Sequence, residues 1–252
     1  MPNKTFFITF GGPTPNYHNR VTELCSHAKN IPYFTDVIGY TDVDLKSDSE
    51  FWGRHQSFIE SSPRGYGYWI WKPYLIKRTL DQHMQNGDCL VYVDAGCTLN
   101  TNPYSWNRLH YYLESVKNSP YGMLSFQLKF PEYLYNKTNT FRHVFPNLSW
   151  QLSSEYLTTP QCMATVVIIC KNERSTAFIN EWQWLSTNHS LIDDSPSPYG
   201  KYKGFRDHRH DQSIYSLLVK KLGSFVIPDE TYFHPNWTDG KDYPIWATRI
   251  RS

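Results

Sequence analysis

The chain has 252 residues, a formal net charge of +2, and 9 Trp and 19 Tyr. That length allows one large α/β domain or two small ones and is ample for a sizeable core. A charge so near balance, with no long Lys/Arg run, argues against a nucleic-acid partner, and no apolar segment approaches the length of a membrane span.

The opening residues, MPNKTFFITFGG, lack a secretory pattern because the apolar run is short and interrupted. The expectation is a cytoplasmic protein. Five scattered cysteines contain no CxxC pair, which points to free buried thiols rather than a zinc site. The high aromatic content fits either a rich core or a concave surface on which sugars stack.

In chain order, KTFFITF (residues 4–10) reads as a buried strand ending in Gly11-Gly12-Pro13. A helical period follows, with Val21, Leu24, Cys25 and Ala28 on one face. YFTDVIGY (33–40) reads as a second strand, giving a β-α-β opening that favours a parallel sheet with a right-handed crossover. RGYGYWIWKPYLI (64–76) is irregular at Gly65 and Gly67 and enters a helix at Pro73. Leu75, Ile76, Leu80 and Met84 form the apolar stripe of that helix, and Gly87 suits its stop.

Cys89 to Val93 is a continuous apolar run, as in a central parallel strand covered on both faces. Residues 121–128 suggest another strand, and 130–160 an irregular functional segment. MATVVIIC (163–170) reads as a buried strand, and STAFINEWQWLS as a helix. A polar Pro/Gly loop spans 193–205. A helix is expected from near Asp207 to Gly223, then a last strand in SFVIPDETYF. There is no repeat and no linker. The reading is one α/β domain over 1–252, with a nucleotide-binding part at about 1–100 and an acceptor-binding part at about 101–252.

Three places carry chemistry. Asp94 stands at the carboxyl end of an apolar strand, where open α/β sheets bind ligands. Ala95 and Gly96 follow it with little bulk, so Asp94 is a candidate for a cation or a ribose hydroxyl. Lys72 and Arg64 meet an anionic ligand on the functional reading. On the bland reading the tryptophans pack the helix and Lys72 snorkels. Spacing alone does not place Lys72 against Asp94. DHRHDQS (207–213) gathers acids and histidines at a helix start. Asp207 there can serve as N-cap, and His208 and His210 suit metal binding, acid/base work or a sugar pocket. Asp211 in a first helical turn tends to stay ionised.

GYGYWIWKP, a helix, GDCLVYVDAGC, then EW, DDSPS and HRHDQSI in that order resemble a family of GT-A-type glycosyltransferases, the nucleotide-diphospho-sugar transferases of capsular-polysaccharide, viral and nematode proteins. The resemblance spans most of the chain. It implies a single Rossmann-like domain with a mixed, mainly parallel sheet flanked by helices. It also implies transfer of a sugar from a UDP- or GDP-linked donor to a glycan hydroxyl.

Residue by residue, Asp94 matches the first acid of the DxD motif, and Thr9 and Gly11 lie where the nucleotide base is expected. Asp211 and Gln212 match the acid-amide pair near the reacting sugar, with Asp211 as general base if the reaction inverts or as a positioning group if it retains. His234 matches a metal-binding histidine. Asp194, His208 and His210 are expected at the acceptor or sugar pocket.

The second acid of DxD is Gly96 here. Either Mn²⁺ or Mg²⁺ is held by Asp94, His234 and diphosphate oxygens, or Arg20, Lys72 or Arg249 neutralises the leaving diphosphate. A nucleotidyltransferase or dehydrogenase is disfavoured by the absence of GxGxxG and GxxxxGK[ST]. The alternative is a non-catalytic sugar-binding protein that keeps the fold.

Overall fold

Alternation along β1 (Thr5–Gly11) sets up the two layers around the sheet. Phe6, Ile8 and Phe10 face one core and Phe7 the other, as the two-residue period of a strand requires. β1 lies beside β2 (Asp36–Thr41) and β3 (Cys89–Val93), parallel to both. The helix Pro15–Lys29 crosses over between β1 and β2 and buries Val21, Leu24 and Ala28; Cys25 is only half-buried. The computed structural model describes residues 3–148 and 155–250.

The main sheet runs β2-β1-β3-β7-β5-β6, with β8 (Phe225–Pro228) also paired to β5 (Met123–Pro131). β6 is Pro160–Cys162 and β7 is Val166–Cys170. β7 runs antiparallel to β3 and β5, and β6 antiparallel to β5, while β8 is parallel to β5. Five of these seven strands therefore share one direction, and the sheet is mixed. β4 (Thr98–Leu99) and β9 (Ile245–Trp246) form a separate antiparallel pair.

Helices Trp71–His83, Glu173–Ser186 and His210–Leu222 cover the face carrying Phe6, Leu90 and Tyr92. Helices Pro15–Lys29 and Trp106–Asn118 cover the other face, with Phe7, Val91 and Val93. Among the described residues no helix is long and apolar enough to cross a membrane. All five cysteines are free, and four of them are buried.

Several expectations are corrected. β3 is central and fully buried, but it has a parallel neighbour on one side only, because β7 returns against it. The strand read from Met163 begins at Val166. The helix read from Asp207 begins at His210, because His210 sits at φ 53°, in the left-handed region, and interrupts the approach. Asp207 is consequently not the N-cap; its carboxylate pairs with Arg64. The stretch read as irregular from 130 contains helices Glu132–Tyr135 and Thr138–Val144, and its residues 149–154 lie outside the described residues.

Residues 65–69 make one left-handed turn. Gly65, Tyr66, Gly67, Tyr68 and Trp69 all have φ between 52° and 83°. Backbone bonds run from Tyr68 N to Arg64 O and from Trp69 N to Gly65 O, at 2.8 and 3.1 Å. Left-handed turns cost L-residues about 1–2 kcal/mol each, so neighbouring structure must hold this one. The Trp71 indole donates to the Gly65 carbonyl at 3.1 Å. A Cβ on Gly65 would come within 2.4 Å of the Trp69 ring, and one on Gly67 within 2.7 Å of Ile59. These two glycines let the turn close against its own tryptophan and the preceding helix.

Candidate functional site

β3, β5 and β8 point the same way, so their carboxyl ends share one edge of the sheet, and the starts of the opposed strands β6 and β7 lie at that edge too. A cavity of about 1160 Å³ opens there. Its walls include Asp94 after β3, Leu128 to Phe130 of β5, Asp229 and Thr231 after β8, and Met163 and Thr165 before β7. This is where ligands bind in open α/β sheets.

Lys72 is the centre of the site. It stands in the first turn of the helix Trp71–His83 and is 2% exposed, which corrects the snorkelling expectation. The left-handed turn before it brings the helix start over the carboxyl edge. Lys72 Nζ lies 3.1 Å from Asp94 Oδ1, 2.8 Å from Asp211 Oδ2 and 3.2 Å from the Ala164 carbonyl oxygen. The contact with Ala164 is a hydrogen bond, and those with Asp94 and Asp211 are ion pairs. Burial alone would lower the Lys72 pKa, but the Asp211 and Asp94 carboxylates outweigh it and hold it above its ordinary value.

Asp94 Oδ1 also accepts from the Tyr92 hydroxyl at 2.5 Å. Tyr92 belongs to the same face of the sheet as the helix carrying Lys72. Asp211 is 3% exposed, and burial pushes its carboxyl up to about 6 against the pull of Lys72. The backbone carbonyl of Asp211 is held by the Trp182 indole at 3.0 Å. Gln212 donates to Gln161 Oε1 at 2.9 Å and accepts from Ala164 N at 3.3 Å, so its amide is fixed on the cavity wall.

The cavity brings together Arg64, Lys72, Asp94, His208, His210, Asp211, Gln212 and His234 from the sequence candidates, together with Arg249. It does not gather the rest. Thr9 is fully buried within β1. Gly11 lies beneath the first helix, where a Cβ would meet the Tyr17 carbonyl oxygen at 2.6 Å. Arg20 Nε donates to the Ala95 carbonyl at 3.2 Å, and its Nη2 donates to the Cys97 carbonyl. Arg20 thus braces the turn after Asp94, and neither it nor Ala95 lines the cavity.

Asp194 borders an adjoining pocket of about 320 Å³ that shares Arg64, Asp207 and His208 with the main one. Arg64 spans Asp194 at 3.2 Å and Asp207 at 2.9 Å, closing the loop between them. Lys137 anchors the loop start through Ser190 O, Asp193 and Ser195 O. His208 uses both ring nitrogens, Nδ1 toward Lys137 N and Nε2 toward the Leu191 carbonyl, so it serves the framework of the loop.

Gly96 is where a second DxD acid would stand. A Cβ there would meet Ile250 O at 3.0 Å, and the Gly96 carbonyl accepts from Ile250 N and Thr248 Oγ1 at 2.9 and 3.0 Å. The C-terminal segment fills that side. Among the described residues no three His, Cys, Asp or Glu side chains gather to hold a metal ion. Asp94 and His234 share a cavity, but two side chains, one already paired with Lys72, do not make a metal site of their own.

Sequence reasoning missed Tyr92 and Arg209. Tyr92 was legible in principle, since it stands two residues before Asp94 and so shares its side of the sheet. Arg209 lies 3.6 Å from the centre of the Tyr135 ring and donates to Gln161 at 3.3 Å. Only tertiary structure reveals that platform.

No family model and no curated protein matches the sequence. Solved structures do. Mouse xyloside xylosyltransferase 1, apo form, superposes over 97% of this chain and 97% of its own with a TM-score of 0.50 and 9% identity. A glycosyltransferase involved in the glycosylation of the major capsid of PBCV-1 covers 96% and 93% with a TM-score of 0.49 and 10% identity. The galactosyltransferase LgtC, in complex with donor and acceptor sugar analogs, covers 96% and 86% with a TM-score of 0.44 and 10% identity. At such identities the likeness is one of fold. The chain has the α/β glycosyltransferase fold that the sequence resemblance implies.

Proposed function

We propose that the chain is a glycosyltransferase that moves a sugar from a nucleotide-diphosphate-sugar, UDP- or GDP-linked, to a carbohydrate hydroxyl. The observation that carries this reading is the buried Lys72 held between Asp94 and Asp211 at the carboxyl edge of the sheet. Two carboxylates from separate elements are fixed there by one ammonium, beside a cavity large enough for a donor and part of an acceptor.

In this reading Asp94 anchors the donor, and Asp211 with Gln212 orients the transferred sugar. Arg249 supplies positive charge for the leaving diphosphate, with Lys72 as a fixed charge behind it; such charge is most effective when already in place. If a divalent cation, Mn²⁺ or Mg²⁺, takes part, Asp94 and His234 would be the residues that hold it, together with the donor's diphosphate; otherwise the Arg249 and Lys72 charges serve alone. The cation's chemistry would be to neutralise the diphosphate.

Thermal unfolding against a panel of nucleotide-sugars, with and without Mn²⁺, tests the reading. A ligand at 100 times its Kd adds about 2.7 kcal/mol, or roughly 5–10 °C for a domain of this size. A rise with one nucleotide class names the donor. No rise with any donor, on folded protein, removes the donor site from the proposal and leaves a glycan-binding protein.

A further inference from the structure

His210 sits at the junction of the two strained segments. Its own φ is 53°, and its ring packs on Tyr68 and Trp69 of the left-handed turn, with ring centroids 4.8 and 5.4 Å away. The residue is 2% exposed and lines the main cavity next to Asp211.

The tautomer is fixed by chemistry. His210 Nδ1 lies 2.6 Å from the Ile192 carbonyl oxygen. A carbonyl oxygen only accepts, so Nδ1 carries the hydrogen and Nε2 of the neutral ring carries a lone pair. Burial holds the imidazole below its ordinary pKa, with the Ile192 contact and the nearby Asp194 and Asp207 acting the other way. Nε2 is buried and has no hydrogen-bond partner; Asp194 Oδ1 is 3.9 Å away, outside hydrogen-bond range. A buried acceptor left empty costs about 1–3 kcal/mol. Its neighbour His208 shows the contrast, with both nitrogens satisfied.

We propose that His210 Nε2 receives the proton of the acceptor hydroxyl. The inference rests on the glycosyl-transfer reading and assigns its proton acceptor. As the acceptor oxygen bonds to the anomeric carbon, its O–H bond breaks and the proton passes to Nε2. The bond from that carbon to the diphosphate oxygen breaks, and its electron pair leaves with the diphosphate. Asp211, committed to Lys72, stays a positioning carboxylate. The Nδ1–H bond to Ile192 supports the imidazolium that forms.

Two substitutions separate this role from a structural one. An asparagine amide reaches the Nδ1 position and tolerates positive φ, so His210→Asn keeps the bond to Ile192 and deletes Nε2. His210→Gln places an amide near Nε2 that can bond a hydroxyl but cannot take its proton. For both, kcat for transfer to a glycan acceptor is expected to fall about 10²–10⁴-fold, the usual span of general-base catalysis, with the acceptor KM little changed. Transfer at the wild-type rate by folded His210→Asn overturns the proposal, as does full rescue by His210→Gln.

A measurement on the wild-type protein needs no variant. Its nitrogen NMR spectrum at neutral pH is expected to show Nε2 of His210 unprotonated, and a protonated Nε2 overturns the assignment. If wild-type protein binds donors yet transfers no sugar to any glycan, the glycosyl-transfer reading fails and this inference fails with it. An active wild type with an equally active His210→Asn sinks this inference alone.

Discussion

Lys72 Nζ stands 2.8 Å from Asp211 and 3.1 Å from Asp94, joining a helix start to the end of the strand that follows that helix and to a helix more than a hundred residues after that strand. Removing one partner of such a buried cluster leaves uncompensated charge, at a cost of about 3–5 kcal/mol. Lys72→Ala is therefore expected to lower Tm by roughly 6–20 °C, at 2–4 °C per kcal/mol for a chain of this size. It is also expected to weaken donor binding, measured by titration calorimetry below the new Tm. Unchanged donor affinity would leave Lys72 a purely structural ammonium.

Asp211→Asn keeps the shape of the side chain and removes its charge. Donor affinity is expected to survive, because Asp94 remains. Turnover is expected to fall at least 10²-fold, the scale on which lost orientation acts. Steady-state kinetics beside donor titration check this, and wild-type turnover in the variant would remove Asp211 from the reaction centre.

The left-handed turn makes its own test. Gly65→Ala drives a Cβ into the Trp69 ring, and Gly67→Ala drives one into Ile59, both at positive φ. Strain of this kind costs of order 1–3 kcal/mol per residue. Each variant is expected to lose several degrees of Tm and, because Lys72 hangs from the turn, to lose turnover disproportionately. Gly53→Ala, where a Cβ meets nothing within 4 Å, is the control and is expected to keep both.

Buried neutral histidines set an acid limit. Burial, then the neighbouring His189, brings His55 down to about 4 from 6.5, and burial also lowers His189. Burial and then Lys137 push His208 well below its ordinary value. Groups depressed in the folded state take up protons on unfolding, so their stabilisation is present above pH 6.5 and is lost as pH falls toward 4. Asp211, raised to about 6 by burial, acts the other way but is a single group. Urea midpoints at pH 7.5 and 5.0 are expected to fall with pH; a flat profile contradicts the neutral-histidine assignment.

The sheet was legible where apolar runs were continuous. β1, β3 and β7 announced themselves through Phe6 to Phe10, Leu90 to Val93 and Val166 to Ile169, because central strands need apolar side chains on both faces. Strand direction was not legible, since β7 reads the same whichever way it runs. At the site, Asp94 was found from its place after a strand, and Asp211 from its charged surroundings. The contact of both with Lys72 was hidden, because it depends on five successive positive φ values that reverse the chain before the helix. Lys72 itself read as a snorkelling lysine or as a charge facing an anionic ligand, since a lone lysine among aromatics does not reveal the two carboxylates and the carbonyl that meet it.

The most direct test of glycosyl transfer is release of nucleoside diphosphate from nucleotide-sugars with a glycan panel present, wild type beside Asp211→Asn. The expected result is release coupled to a glycan longer by one sugar, with one nucleotide class, nearly abolished in Asp211→Asn. Donor binding with neither product, or equal release by both proteins, would contradict the account.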